Sequence, residues 1–325
     1  MYGDKCNMVG TSQACIRTDY VAIVGTSQDF GVLYNAAVRP KGLARATWNN
    51  VAGLTQVFTG VVQDMLSGPS GPSGDYLVES GREQLITNTD YGNKMMFAAQ
   101  GIRGLRMNSD GADYKTLIYY STGYTQAQRA AIEEAAERHG SPDRIFAIST
   151  TEELIDLLNE PNFPTEPCDR KILRIDIYTH GLPDDLSFGY EGHDKELLDA
   201  QRFRAEHAAQ LDSERYNPPG RRSHIYSWGC RTAISNRGIT GGLAKAMAES
   251  TGAIAHGHAR RTEYTNTWNT GSQSAEEAGL IEIDSGNSLV LWHPDGAMRG
   301  VIEGISPEEN PAGKFIYDGL EDGDE

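Results

Sequence analysis

A histidine and a cysteine each follow a short apolar run of the chain. The first run ends as Ile177-Tyr178-Thr179-His180-Gly181, and the second ends as Tyr226-Ser227-Trp228-Gly229-Cys230. An imidazole near a thiol can accept the thiol proton and later return a proton to a leaving amine, and the thiolate attacks a carbonyl far better than the thiol does. Backbone N–H groups of Gly181 and Cys230 could then hold the oxyanion. The two motifs therefore supply a nucleophile, a base and an oxyanion site.

The runs that precede the two motifs belong to a regular alternation of strands and helices. Apolar and β-branched runs predict strands over 116–120, 144–148, 172–178, 223–228 and 253–256. Helical spacing predicts helices over 125–139, from 149 to before Pro161, over about 195–211 and over 241–250. Such alternation is typical of an α/β protein with a mainly parallel sheet, in which reactive groups gather at the carboxyl ends of the strands.

The two motifs resemble those of the caspase-like cysteine peptidases, the group that includes caspases, metacaspases, gingipains, clostripain and legumain. In that group an apolar strand ends in His-Gly and a later one ends in Cys. Here Cys230 follows His180 by 50 positions, close to the ~50 typical of caspases. The resemblance spans about residues 115–261 and implies a caspase-like three-layer sandwich. It also implies His180 as the base, Cys230 as the nucleophile, Gly181 and Cys230 as the oxyanion hole, and no cofactor.

The residues around the cysteine depart from the caspase pattern. Caspases carry Gln-Ala before the cysteine and Gly two positions after it, whereas this chain has Trp228-Gly229 and Thr232. The Asp that many metacaspases place near the cysteine is missing too. These departures argue against a true caspase with aspartate specificity. The acidic chain instead favours a basic residue before the cut bond, with Asp184 and Asp185 as substrate-binding candidates; the alternative for both is a solvated turn after Pro183.

Two other classes of function stay open. One is a metal-dependent hydrolase, because His256 and His258 stand at i and i+2 after a strand and could bind a metal together with His180 or Asp184. No H-E-x-x-H motif accompanies that pair. The other is a catalytically silent binding module that keeps the caspase-like fold. No metal is needed for the peptidase chemistry.

Composition narrows the list of partners. The chain has 325 residues and a formal net charge of −16, which disfavours nucleic acid. No apolar run approaches the ~18 residues of a membrane-spanning helix, and the first fifteen residues lack the apolar core of a secretory signal. We therefore expect a soluble, cytoplasmic protein that acts on a peptide or protein substrate. Export without a cleaved signal, as for a bacterial effector, stays open.

Cysteine usage suggests no disulfide scaffold. The four cysteines include no CxxC pair, so each is expected to be a small buried hydrophobe. Cys6 and Cys15 could pair under oxidising conditions.

The two ends of the chain differ from its centre in composition and in the pattern of apolar residues. Residues 1–113 are rich in Gly, Ser, Thr and Asn, contain the repeat Val9–Gln13 and Val24–Gln28, and include a Ser-Gly-Pro linker at 67–74. We treat them as a separate region of unknown role before a peptidase domain at 114–325. That region could be a prodomain, an adaptor or part of the substrate cleft, and an adaptor or activator could act through it. After Leu280, short runs separated by Ser-Gly-Asn and Asp-Gly predict β-hairpins, followed by an acidic tail.

Overall fold

The computed structural model describes residues 15–27, 93–108, 111–161, 168–189, 200–235, 241–264, 279–284, 289–304, 310 and 313–320. Strands of the main sheet are β1 (Ile16–Val24), β2 (Tyr114–Tyr120), β3 (Ile145–Ile148), β4 (Asp169–Tyr178), β8 (His224–Ser227), β9 (Ile254–His258) and β14 (Lys314–Asp318). Smaller sheets contain β5 (His180–Leu182), β6 (Asp185–Ser187), β7 (Arg202–Arg204), β10 (Thr262–Glu263), β11 (Ile281–Asp284), β12 (Leu289–Trp292) and β13 (Ile302–Glu303). The helices are α1 (Met96–Met107), α2 (Gln126–His139), α3 (Thr151–Asn159), α4 (Ala205–Ala208) and α5 (Gly242–Thr251).

The main sheet has seven strands in the order β14-β9-β8-β4-β1-β2-β3. Every neighbouring pair is parallel except β14 with β9. The predicted α/β class with a mainly parallel sheet is therefore confirmed. Counted in chain order, the six parallel strands run 3-2-1-4-5-6, the order of doubly wound sheets, and the winding reverses between β1 and β4.

Helices cover both faces of the sheet, and β1 shows why. Its side chains alternate between two cores. Tyr20, Ala22 and Val24 join the core that contains α1 and α2, whereas Val21 and Ile23 join the core that contains α3 and α5. A strand with apolar side chains on both faces must be buried on both, and each fully buried Val or Ile contributes about 1.5–3 kcal/mol.

The described part of the first 113 residues belongs to this sheet, although sequence analysis had set that region apart. β1 is hydrogen-bonded to β2 on one side and to β4 on the other. Helix α1 lies directly over β1 and β4: a side chain at Gly104 would meet the Tyr178 hydroxyl at 3.1 Å. A boundary between residues 113 and 114 therefore does not separate these elements. The repeat copy at residues 9–13 and the linker at 67–74 lie outside the described residues.

Two predicted helices are confirmed at their caps. Thr125 and Thr150 each accept a hydrogen bond from the backbone of the third helical residue, and Gln128 and Glu153 reach back to close the capping boxes of α2 and α3. The helix predicted over 195–211 is wrong over 202–204, which form β7. Phe203 is buried there between two half-buried arginines, and this alternation suits a strand paired with β6. Within the predicted range, the described residues after β7 include α4, and residues 195–199 lie outside the described residues.

The C-terminal hairpin prediction is confirmed in part. β11 and β12 form an antiparallel pair, as expected from the runs around Ile281 and Leu291. The run at 300–302 instead supplies β13, which pairs with β10, and β14 joins the main sheet beside β9. The acidic tail after residue 320 lies outside the described residues.

A disulfide ties the beginnings of β1 and β4. It joins Cys15 to Cys168, whose Cα atoms are 4.6 Å apart. The expectation that these cysteines are buried hydrophobes is wrong for both, and Cys15 does not pair with Cys6. None of the described helices is long and apolar enough to cross a membrane.

Candidate catalytic site at the ends of β4 and β8

The two motifs leave neighbouring parallel strands at the same edge of the sheet. β4 and β8 pair through Ile177 and Ser227, and the Trp228 amide donates to the Ile177 carbonyl at 2.9 Å. His180 then begins β5, and Cys230 follows in the turn after β8. The strand order therefore brings together two segments that are remote in the chain.

Glycines let the two motif backbones touch. A Cβ atom built on Gly181 would lie 2.6 Å from the Cys230 nitrogen and 2.7 Å from the Gly229 carbonyl carbon. A Cβ atom on Gly229 would in turn lie 3.2 Å from the Gly181 Cα. Any side chain at Gly181 would clash with the backbone of Gly229 and Cys230. Glycine is therefore required for the two segments to approach this closely. The amides of Gly181 and Cys230 consequently lie in one small patch, as an oxyanion site needs.

Cys230 is a buried thiol outside the disulfide, with 4% of its surface exposed. Its Sγ atom lies 3.7 Å from the Thr262 carbonyl oxygen and 3.6 Å from the Thr262 Oγ1. The next residue, Arg231, has a φ of +58° in the left-handed region. Non-glycine residues adopt this conformation at a cost, and such strain clusters at functional turns. The chain thus turns sharply immediately after the thiol.

His180 is equally buried, with 4% exposed. Its ring meets Phe97 edge to face at 4.8 Å, and Phe97 meets Tyr264 in the same way at 4.7 Å. Burial lowers the pKa of His180 to about 3, so the imidazole is neutral at neutral pH and is a weak base while it stays buried. The sequence suggested neither of the two aromatic residues.

A buried carboxylate on β4 binds the tryptophan side chain of the cysteine motif. Asp176 is fully buried in β4 and accepts hydrogen bonds at Oδ2 from the Tyr20 hydroxyl (2.7 Å), Asn108 Nδ2 (3.1 Å) and Arg174 Nε (3.1 Å). Oδ1 accepts from Arg174 Nη2 and Trp228 Nε1, both at 3.2 Å. Arg174, two residues before Asp176, is its ion-pair partner. The indole two residues before Cys230 is thereby fixed.

The Trp228 carbonyl is fixed as well. It accepts hydrogen bonds from Thr262 Oγ1 at 2.6 Å and from the Tyr264 hydroxyl at 3.0 Å. Thr262 therefore links the backbone before Cys230 to the thiol itself. No local sequence pattern points to this threonine, since β10 has only two residues and lies 32 positions from Cys230.

The two aspartates predicted to bind substrate have different surroundings. Asp184 occupies the turn between β5 and β6 with a φ of +66°. Asp185 lies on β6, is 5% exposed, and faces Arg202 Nε at 3.6 Å and Arg204 Nε at 3.4 Å. Burial raises the pKa of Asp185 to about 6 in spite of both arginines. Arg202 and Arg204 therefore already balance the negative charge of the Asp185 carboxylate.

The histidines of the metal-site alternative lie within β9. His256 stacks on Tyr226 at 4.1 Å, and its Nε2 is 3.1 Å from Nδ1 of His224. Burial lowers the pKa of His256 to about 3 and of His258 to about 4. Within the described ranges, no three His, Cys, Asp or Glu side chains form a group that could hold a metal. His256 and His258 thus do not converge with His180 or Asp184.

Comparisons with protein families, with curated proteins and with solved structures found no match to this chain. The chemistry of the site is therefore inferred from its geometry.

Proposed function

We propose that the chain is a caspase-like cysteine peptidase that hydrolyses peptide bonds with Cys230 and His180. The observation that carries the proposal is the backbone contact between Gly181 and the Gly229–Cys230 peptide at the ends of two neighbouring parallel strands. This contact supports one patch that holds the thiol, the imidazole and two amide donors. Adjacent strands bearing the two motifs also support the caspase-like sandwich as the finer description of the fold.

The proposed reaction follows from these groups. Cys230 Sγ attacks the peptide carbonyl carbon while His180 takes the thiol proton. The oxyanion is held by the N–H groups of Gly181 and Cys230. The C–N bond then breaks, His180 gives its proton to the leaving amine, and a thioester remains. Water, deprotonated by His180, cleaves the thioester, releases the carboxylic acid and restores the thiol.

The site is closed in this structure. His180 and Cys230 are each 4% exposed; Phe97 packs edge to face on the imidazole, and Tyr264 packs on Phe97. We therefore infer that the site opens when a peptide substrate binds. Opening hydrates the imidazole, which restores its basicity.

The disulfide is informative about the cellular compartment in which the protein resides. A bond between Cys15 and Cys168 persists in oxidising surroundings and is rare in the cytosol. It supports an oxidising compartment over a reducing cytoplasm.

The decisive experiment compares wild type, Cys230→Ala, His180→Asn and the matched control Cys6→Ala on a mixed peptide library, with products identified by mass spectrometry. We expect cleavage by wild type and Cys6→Ala, and a loss of at least about a thousandfold in the other two. Equal cleavage by wild type and Cys230→Ala would show that Cys230 is not the nucleophile.

A catalytically silent binding module is the second candidate, and the burial of both reactive side chains favours it. The two candidates differ in the chemistry of the thiol. In a peptidase, His180 should speed alkylation of Cys230 by iodoacetamide, and His180→Asn should slow it. Rates at Cys230 and Cys6 can be followed together by peptide mapping. A Cys230 rate that does not depend on His180 supports the binding module.

A further inference from the structure

A cavity of about 300 Å³ lies on the α1 side of the sheet, behind the two motifs. Tyr178 and Trp228, each two residues before a reactive side chain, line it together with Arg103 and Gly300. Its volume is at the lower end of the range for pockets that take small molecules. The proposed peptidase chemistry uses no part of this cavity.

Three aromatic rings that line the cavity lie in nearly parallel planes. The ring planes of Tyr178 and Trp228 are within 2° of each other with centroids 6.4 Å apart. Tyr226 and Trp228 lie 6.1 Å apart at 13°. These rings stand on neighbouring strands, so the sheet holds them in nearly parallel planes. Aromatic side chains in this arrangement offer a surface to a planar, unsaturated group.

Two guanidinium groups beside these rings are held in position. Arg174 is bonded to both oxygens of Asp176, and its Cζ lies 4.2 Å from the centre of the Tyr226 ring. Arg103 donates from Nη1 to the Met298 carbonyl at 3.2 Å. Because their geometry is fixed in advance, little side-chain entropy is lost when an anion binds.

The charge of the cavity is opposite to that of the whole chain. Asp176, fully buried, compensates one of the two guanidinium groups and leaves a net charge of about +1. The chain as a whole carries −16. A concave positive site on an acidic protein selects small anions over larger polyanions, which the surrounding surface repels.

We propose that this cavity binds a small aromatic carboxylate. The planar body lies against Tyr178 and Trp228, and the carboxylate pairs with Arg103. This is a ligand site separate from Cys230 and His180, and it stands whether or not the chain is a peptidase.

The test is isothermal titration of the full chain with 2-naphthoate and with its neutral counterpart 2-naphthamide. We expect naphthoate to bind about tenfold or more tightly than naphthamide, since the neutral amide cannot form the charge-assisted hydrogen bond to the arginine. Equal affinities for the two compounds would overturn the proposal.

Variants locate the binding in this cavity. Arg103→Gln is expected to weaken naphthoate about tenfold, whereas Arg106→Gln, an exposed arginine on the same helix, should change nothing. Gly300→Leu should abolish binding of both compounds, because a Cβ there meets only Arg103 Nε at 3.8 Å and the larger side chain fills the space. Circular dichroism checks that each variant is folded. Binding that survives Gly300→Leu, or that falls equally in both arginine variants, would refute the site.

Cys230→Ala is expected to bind naphthoate as wild type does. A loss of peptidase activity and a loss of ligand binding can therefore be observed separately.

Discussion

Gly181 is the residue at which the two motif segments come closest. Gly181→Ala places a methyl group against the backbone of Gly229 and Cys230, which cannot move as the end of a flexible side chain can. We expect the free energy of unfolding to fall by about 2–3 kcal/mol, as for overpacked sites, together with loss of any peptidase activity. Urea denaturation measures the first effect. Gly300→Ala, with no contact closer than 3.8 Å, is the matched control and should be neutral; an equally mild Gly181→Ala would contradict the close packing.

Arg231 stores backbone strain next to the thiol. Arg231→Gly and Arg231→Ala both remove the side chain, so their difference isolates the cost of the left-handed conformation at φ +58°. We expect the glycine variant to be more stable than the alanine variant by about 1 kcal/mol. Equal unfolding midpoints in urea would mean that the turn is not strained.

Residues that end a recognisable strand could be named from the sequence, and those that meet them from elsewhere could not. His180 and Cys230 follow apolar runs, so their convergence could be anticipated. Tyr20 donates to Asp176 from 156 positions away, and Phe97 reaches His180 from α1. Such contacts depend on which elements become neighbours in the fold, and no local sequence pattern predicts the order of the strands.

Elements with strong end signals were predictable, and elements defined by their neighbours were not. Thr125 and Thr150 predict the starts of α2 and α3, because the side chain that caps a helix is close in sequence to the helix itself. α1 carries Gly101 and Gly104, which lower helix propensity by about 1 kcal/mol each and are tolerated because α1 packs against β1 and β4. The same limit explains why β1 could not be predicted as the middle of the sheet.

The disulfide links elements far apart in the chain, so its removal should be costly. Cys15 and Cys168 are 153 residues apart, and closing so long a loop restricts the unfolded chain strongly. We expect the Cys15→Ser, Cys168→Ser double variant to lose about 2–5 kcal/mol of stability. Thermal unfolding with and without dithiothreitol measures this. The reductant should lower the midpoint of wild type and leave that of the double variant unchanged; an unaltered wild type would contradict the stabilising role.

Acid should destabilise the whole molecule through its buried histidines. The pKa of His180 is about 3 and that of His258 about 4, both below the ordinary value near 6.5, so the unfolded chain binds protons first as the pH falls. Each such histidine then removes up to about 1.4 kcal/mol of stability per pH unit between its unfolded and folded pKa values. Asp185 acts in the opposite direction between about pH 6 and 4, because its pKa of about 6 favours protonation in the folded state.

The measurement is the free energy of unfolding in urea at intervals from pH 7 to 4.5. We expect a net decrease toward low pH. His258→Gln, which removes one of the buried imidazoles, should make the dependence shallower. A flat profile in wild type would mean that the buried imidazoles take up protons without unfolding.

The position of β1 has a consequence for how the protein is made. β1 can pair only with strands that the ribosome produces later: Asp113, beside β2, comes 95 residues after Thr18, and Cys168, before β4, comes 153 after Cys15. At about 5–20 residues per second, this apolar segment waits roughly 5 to 30 seconds for its neighbours. During translation the central strand of the sheet is thus made well before either of its neighbours, and in that interval β1 is a site for chaperones to bind.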